Sequence, residues 1–131
     1  MLFAISGFAQ APGKGSSRHS EIESVKIAFI TKKLDLSADE AKAFWPVYNN
    51  YQKELMSIIR QRRENYKRRD GSPQNKLNDD FDFEGKILAL KKDYQKEFAK
   101  VLPPQKVLTL YQAEREFREQ LIKELKARRG N

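Results

Sequence analysis

Apolar residues recur along this chain at helical intervals and almost nowhere at the alternating interval of a strand. Ile22, Val25, Phe29 and Ile30 follow at three- to four-residue steps, which sets them on one face of a helix. Ser20 and Glu23 precede the run as S-E-I-E. That is a capping box, in which each side chain satisfies a free backbone N–H of the first turn. The spacing predicts a first helix over about 20–34. A second start follows at once, with Ser37 at the N-cap and Glu40 at the third helical position. Ala41, Phe44, Tyr48, Tyr51, Leu55, Ile58 and Ile59 continue one stripe. They predict a helix over about 37–69, about 50 Å long at 1.5 Å per residue. Pro46 falls inside it and predicts a kink near Lys42 to Pro46, because proline removes a backbone bond and crowds the preceding turn.

Asp70-Gly71-Ser72-Pro73-Gln74-Asn75 is the clearest break, a cluster of turn residues. Asp79 or Asp80 can cap a third helix, over about 79–101, whose stripe is Phe83, Ile87, Leu90, Tyr94, Phe98 and Val101. Gly85 in its first turns costs about 1 kcal/mol relative to alanine unless close packing offsets it. Pro103-Pro104 stops this helix and opens a fourth, over about 104–128. Pro104 suits the first helical position, which needs no N–H. Val107, Leu110, Tyr111, Phe117, Leu121 and Leu125 form the last stripe, and Lys123, Lys126, Arg128 and Arg129 complement the helix dipole near its end. The expected fold class is all-α, built from four helices. A weak internal repeat relates the second and fourth starts: Leu36 matches Leu102, Ala41 matches Val107, Phe44 matches Leu110, Trp45 matches Tyr111 and Tyr51 matches Phe117. Shared descent and convergent capping both account for it.

The N-terminus changes the setting. Leu2 to Ala11 is an uncharged, largely apolar run ending in Ala-Gln-Ala, which resembles the tail of a secretory signal with a small-x-small cleavage site. Its basic start is missing, which reads as a truncated beginning. The run falls short of the roughly 20 apolar residues that span a bilayer. Cleavage after Ala11 predicts an exported, periplasmic product with no stable membrane insertion. Residues 12–19 read as a flexible leader and residues 20–129 as a single helical domain.

Composition narrows the chemistry. The chain has 131 residues and no cysteine, so packing alone holds it, and thiol catalysis and thiolate metal sites are ruled out. His19 is the single histidine, lies in the leader, and has no nucleophile arranged with it. Asp39-Glu40 and Asp79-Asp80 sit at predicted helix starts, where carboxylates offset the dipole. No phosphate loop and no zinc-protease motif occurs. One histidine and Met56 are a poor set for a transition metal. The reading is of a non-enzymatic protein without a cofactor or a resident metal.

Two features point to binding. Arg60, Arg62, Arg63, Lys67, Arg68 and Arg69 crowd the end of the second helix, nearly all round it, and predict an end projecting into solvent. The formal net charge of +8 would suit nucleic acid, but export argues against that partner. A solvated helix end and a surface that attracts acidic, partly unfolded proteins or an anionic membrane face both account for the cluster. Aromatic residues are many for a thin helical body. Trp45 beside Phe44, and Phe81 two residues from Phe83, cannot all share one face, so some lie off the stripe and seal a dimer or line an apolar patch.

A signal sequence followed by four helices, with L-[ST]-x-x-[EQ]-like starts on the second and fourth, resembles the Spy/CpxP family of LTxxQ-motif periplasmic proteins. The words Leu36-Ser-Ala-Asp-Glu-Ala-Lys-Ala-Phe-Trp-Pro-Val-Tyr-Asn-Asn-Tyr51 and Val101-Leu-Pro-Pro-Gln-Lys-Val-Leu-Thr-Leu-Tyr-Gln-Ala-Glu-Arg-Glu-Phe117 look like its Bacteroidetes-type branch. Members of that branch are often labelled sensors of ECF-type sigma factors or periplasmic heavy-metal sensors. The resemblance covers about residues 20–128. It implies a thin, curved helical hairpin that dimerises into a cradle, with ATP-independent binding of unfolded envelope proteins. The alternative it implies is an envelope-stress adaptor acting on one signalling protein. Ser37 and Glu40 stand where the motif has Thr and Gln, and Pro103-Pro104-Gln105 replaces the hydroxyl of the second motif and shifts its Gln. The sites expected to carry binding are Arg60, Arg62, Arg63, Lys67, Arg68, Arg69 and Trp45.

Overall fold

The computed structural model of the chain describes residues 14–68 and 71–130, with side chains from Ser20 onward. It is all-α, with four helices: α1 (Lys14–Leu34), α2 (Ala38–Lys67), α3 (Pro73–Ala99) and α4 (Pro104–Gly130). Among the described residues there is no strand, and no helix is long and apolar enough to cross a membrane. The signal-like run Leu2 to Ala11 lies outside the described residues.

Two helix starts differ from the sequence reading. α1 begins at Lys14, so residues 14–19 are helical rather than leader, and Ser20 and Glu23 lie within the helix instead of capping it. Once a helix is nucleated, each added residue of moderate propensity costs only tenths of a kcal/mol, so a capping motif need not be the boundary. α3 begins at Pro73, with the Ser72 hydroxyl accepting from the Asn75 N–H at 3.2 Å. Ser72 followed by Pro73 is a sufficient start, and it releases Asp79 and Asp80 for other partners. α2 ends at Lys67, with Arg68 already extended, short of the expected Arg69. Its start carries the expected box: Ser37 Oγ accepts from the Glu40 N–H at 3.1 Å, and Glu40 Oε1 accepts from the Ser37 N–H at 3.0 Å. The helix runs through Pro46.

The chain forms two compact units, divided at Asp35/Leu36 and Leu108/Thr109. In the unit Leu36–Leu108, α2 packs along α3. Phe44, Tyr48, Tyr51 and Phe98 are at most 1% exposed. Their rings stand in series: Phe44–Phe98 at 5.6 Å, Tyr51–Phe98 edge-on at 5.8 Å, and Tyr51–Tyr94 at 5.3 Å. Burying a large apolar side chain is worth about 1.5–3 kcal/mol, and paired rings add about 0.5–1.5 kcal/mol, so this series carries the unit. α4 opens with Pro104, and the Pro103 carbonyl accepts from Val107 at 3.1 Å. Lys106 Nζ then meets Glu40 Oε1 at 2.7 Å, joining the starts of α4 and α2. Glu40 and Lys106 are equivalent positions of the internal repeat, so the two starts are bonded through matching residues.

In the other unit α1 meets the later part of α4. Phe29 lies 5.7 Å from Phe117, and Lys26–Glu114 and Lys33–Glu116 pair at 3.5 and 3.2 Å. Ile30, Leu34, Leu110, Ala113 and Phe117 are its buried residues. Just past the end of α1, Asp35 takes the left-handed conformation (φ 49°) while its N–H bonds to the Thr31 carbonyl at 3.0 Å. Aspartate tolerates that conformation better than most residues.

Candidate functional site

The basic end of α2 is not the free projection its sequence suggests. Arg62 Nε lies 3.4 Å from Asp80 Oδ1, and its Nη2 lies 3.6 Å from Glu84 Oε2. One turn on, Asn65 Nδ2 donates to Asp79 at 2.9 Å and the Tyr66 hydroxyl donates to Asp80 at 2.8 Å. The bond to the Asp80 carboxylate holds the Tyr66 phenol above its ordinary value of 10.0, because ionisation would set two negative charges together. The acidic start of α3 thus serves as the seat of α2's end. Surface pairs of this kind contribute about 0–1 kcal/mol each. What they fix is the alignment of the two helices, since the three donors find their acceptors in only one register.

The remaining expected site residues separate into groups. Arg60, Arg63, Lys67 and Arg68 are exposed. Arg60, Arg63 and Lys67 fall at i, i+3 and i+7 and share one face of α2. Arg69 lies outside the described residues. Trp45 is half-buried and stands edge-on to Phe44 at 4.8 Å and to Tyr48 at 5.5 Å. It belongs to the ring series and is not a free apolar anchor. The residue after a core position still lies only about 100° round the helix, close enough for a ring as large as indole to fold back.

Large apolar side chains are exposed on all four helices, among them Val25 on α1 and Leu108, Ile122 and Leu125 on α4; on α3 three of them fall in one row. Leu77, Phe81 and Leu88 are 46%, 60% and 54% exposed. They occur at i, i+4 and i+11, with Gly85 at i+8, and so form one stripe. α3 buries a different face, where Leu90 and Phe98 are buried and Phe83, Ile87 and Tyr94 half-buried. Gly85 has no atom within 4 Å of the place its Cβ would occupy, so nothing within the described chain requires a glycine there. The spacing of this stripe is legible in the sequence. A helix begun at Asp79 instead of Pro73 leaves Leu77 in a loop and hides it.

The depression walled by Arg62, Tyr66, Lys76, Asp80 and Phe83 holds about 20 Å³. A wider, open one beside it, lined by Asn65, Arg68, Asn75, Lys76, Asn78 and Asp79, holds about 420 Å³; that is within the roughly 300–1,000 Å³ of small-molecule sites, but its walls lack the apolar side chains that predominate in them. Tyr94 donates to Glu54 at 2.5 Å, and that bond with burial pushes its phenol up to about 12. Burial first, and Glu114 second, push Tyr111 up to about 12. Both are tyrosines held neutral. Among the described residues no three His, Cys, Asp or Glu side chains are grouped to hold a metal. No protein-family model matches the chain, and no curated protein and no solved structure is similar enough to it to count as a match. The class that the fold defines is a small all-α protein, and the candidate surface considered below is the apolar stripe of α3.

Proposed function

We propose that this is an exported, non-enzymatic holding protein that binds partly unfolded proteins of the cell envelope without a cofactor. The observation that carries the reading is the stripe Leu77–Phe81–Leu88, three large apolar side chains left about half exposed on a helix whose other face is packed. Such a row suits the apolar segments that an unfolding chain shows first. The exposed stripe Arg60–Arg63–Lys67, with Arg68, gives the approach its charge. Long-range attraction raises the encounter rate of acidic clients and fades as salt screens it. The Leu2–Ala11 run supports export, and the paired helix starts at Leu36 and Leu102 support the Spy/CpxP resemblance.

The test is suppression of aggregation of several unrelated proteins by the chain and by a triple variant, Leu77→Ser, Phe81→Ser and Leu88→Ser. All three positions are exposed, so the variant is expected to keep its helix content and melting behaviour. Wild type is expected to protect several clients and the triple variant few. Reversing Arg60, Arg63, Lys67 and Arg68 to Glu should slow association with an acidic client while leaving the dissociation rate near its original value. Arg62 is left out because it also pairs with Asp80 and Glu84. Protection of no client, together with stoichiometric binding of one folded signalling protein, replaces this reading with the adaptor one.

A further inference from the structure

We infer that the exposed end of α4, residues 118–130, docks on the surface of an anionic lipid bilayer, with Ile122 and Leu125 entering the headgroup layer and the cations around them meeting lipid phosphates. This surface is separate from the α3 stripe, and the inference does not rest on the holding function.

Past Phe117, which is buried against Phe29, α4 loses its cover. Of residues 118–130 only Leu121 is half-buried and the rest are exposed, Ile122 at 47% and Leu125 at 49%. At about 100° per residue, Leu121, Leu125 and Ile122 span an arc of about 100°. Arg118 and Arg129 fall inside that arc, one turn before Ile122 and one turn after Leu125. Arg128 and Lys126 stand at its two edges, within about 40°. The carboxylates of the segment, Glu119 and Glu124, lie about 60° outside it, one on each side. Among the described residues none of these four cations has an ion pair. A short apolar strip edged by unpaired Arg and Lys suits a helix that lies in the membrane interface. Basic side chains there lay their stems along the apolar strip and raise their charge to the phosphates. The two features together select the occupant. A soluble polyanion meets the cations and leaves Ile122 and Leu125 in water, and an apolar groove covers that pair and leaves the cations unmet. An anionic bilayer takes both. The α3 stripe lacks the arrangement, since Glu84, whose side chain is 62% exposed, stands about 20° from Leu77 and is repelled by such a surface. No helix is apolar enough to cross a membrane, so the docking is reversible and superficial.

Flotation of the full chain with vesicles is the test. Vesicles of phosphatidylcholine and phosphatidylglycerol in equal parts should carry the protein, and vesicles of phosphatidylcholine alone should not. The bound fraction should fall as salt screens the charges. Ile122→Ser with Leu125→Ser should weaken partition about tenfold or more, the scale of one apolar side chain withdrawn from the interface. Both positions are exposed, so helix content and melting should stay as in wild type. Arg118→Gln with Arg129→Gln should remove most of the preference for the anionic lipid. The chain has no cysteine, so depth reads out separately. An environment-sensitive fluorophore on Leu125→Cys should shift to the blue on anionic vesicles, and the same probe on Lys123→Cys, on the opposite face, should not. No binding to anionic vesicles, equal binding to both compositions, binding indifferent to the Ile122 and Leu125 changes, or a blue shift at position 123 as large as at 125 would overturn the docking. Binding lost only when Arg60, Arg63, Lys67 and Arg68 are reversed would overturn it too, by moving the contact to α2. The Leu77→Ser, Phe81→Ser, Leu88→Ser variant should bind vesicles as wild type does, so failure of the holding function and failure of the docking are read from different variants.

Discussion

The two ends of the α2–α3 pair are held by different forces. At one end Phe44, Tyr48, Tyr51 and Phe98 are closed from water and stand ring to ring. At the other, Arg62, Asn65 and Tyr66 reach Asp79, Asp80 and Glu84 at the surface. The ring end gains its energy from area removed from water, a force that is large, non-directional and tolerant of small shifts along the helix. The polar end gains little net energy, because each group exchanges water for a protein partner. It is demanding about position, however. The ring end keeps the helices together and the polar end decides how they are aligned, and through that alignment where Leu77, Phe81 and Leu88 stand.

The largest expected effect lies at the ring end. Phe98→Ala should cost about 3–5 kcal/mol in urea unfolding, the range for deleting a buried ring and leaving its cavity. The loss should be the same at low and high salt. An effect below 1 kcal/mol would mean that the rings are not the source of cohesion.

One residue in the first half of α2 breaks the rule of its surroundings. Gln52 is buried at 8% exposure, and neither its Oε1 nor its Nε2 has a hydrogen-bond partner. A buried polar group left unpaired costs about 1–3 kcal/mol. Gln52→Met keeps the length of the side chain and removes both polar atoms, so the midpoint of urea unfolding should rise by the equivalent of about 1–2 kcal/mol. A fall would show that the amide has a use in the native protein.

The polar end should respond weakly. Asp80→Asn removes the charge that faces Arg62 and keeps an acceptor for Tyr66, and Tyr66→Phe removes only the hydroxyl. Each should cost about 1 kcal/mol or less, and the Asp80→Asn loss should shrink as salt rises. A loss as large as that of Phe98→Ala would erase the contrast between the two ends.

How far the sequence foretold this arrangement follows the same division. The ring end was legible because burial imposes a period: Phe44, Tyr48 and Tyr51 on α2, with Leu90, Tyr94 and Phe98 on α3, fall at helical steps that survive any error of a turn at the boundaries. The α2 cap was legible because Ser37 and Glu40 act locally. The polar end was not. Whether Arg62 faces solvent or Asp80 depends on the register of two helices separated by a turn, and no local pattern encodes it. The same holds for Trp45, which folds back onto Phe44. The start of α3 was misplaced because acidic pairs mark caps and also mark partners for basic side chains. The left-handed Asp35 has no signal in a sequence that offers no glycine at that point.

The smallest effect sharpens the comparison, because it concerns a polar contact set beside the rings. Glu40 lies one turn before Phe44 on α2 and bonds Lys106 at 2.7 Å. The hydrogen bond from Lys106 first, and the Ser37 backbone N–H second, hold the Glu40 carboxyl below its ordinary value of 4.5. A carboxyl lowered by folding stabilises the native state above its unfolded value, and that contribution is lost as pH falls through the folded value. The clasp should therefore be fully present at neutral pH and fade in acid below the ordinary glutamate range. Glu40→Gln isolates the charge, since glutamine at the third helical position still completes the capping box with Ser37. Melting temperatures of wild type and Glu40→Gln should differ most at neutral pH, with wild type the higher, and converge as pH falls below the folded value. Lys106→Met should close the gap in the same way if the pair acts as one unit, so that the double variant melts like either single one. A gap that persists in acid would mean that Glu40 acts through its shape at the cap. In that case the polar contact beside the rings would owe nothing to charge, unlike the pairs at the far end of the helix.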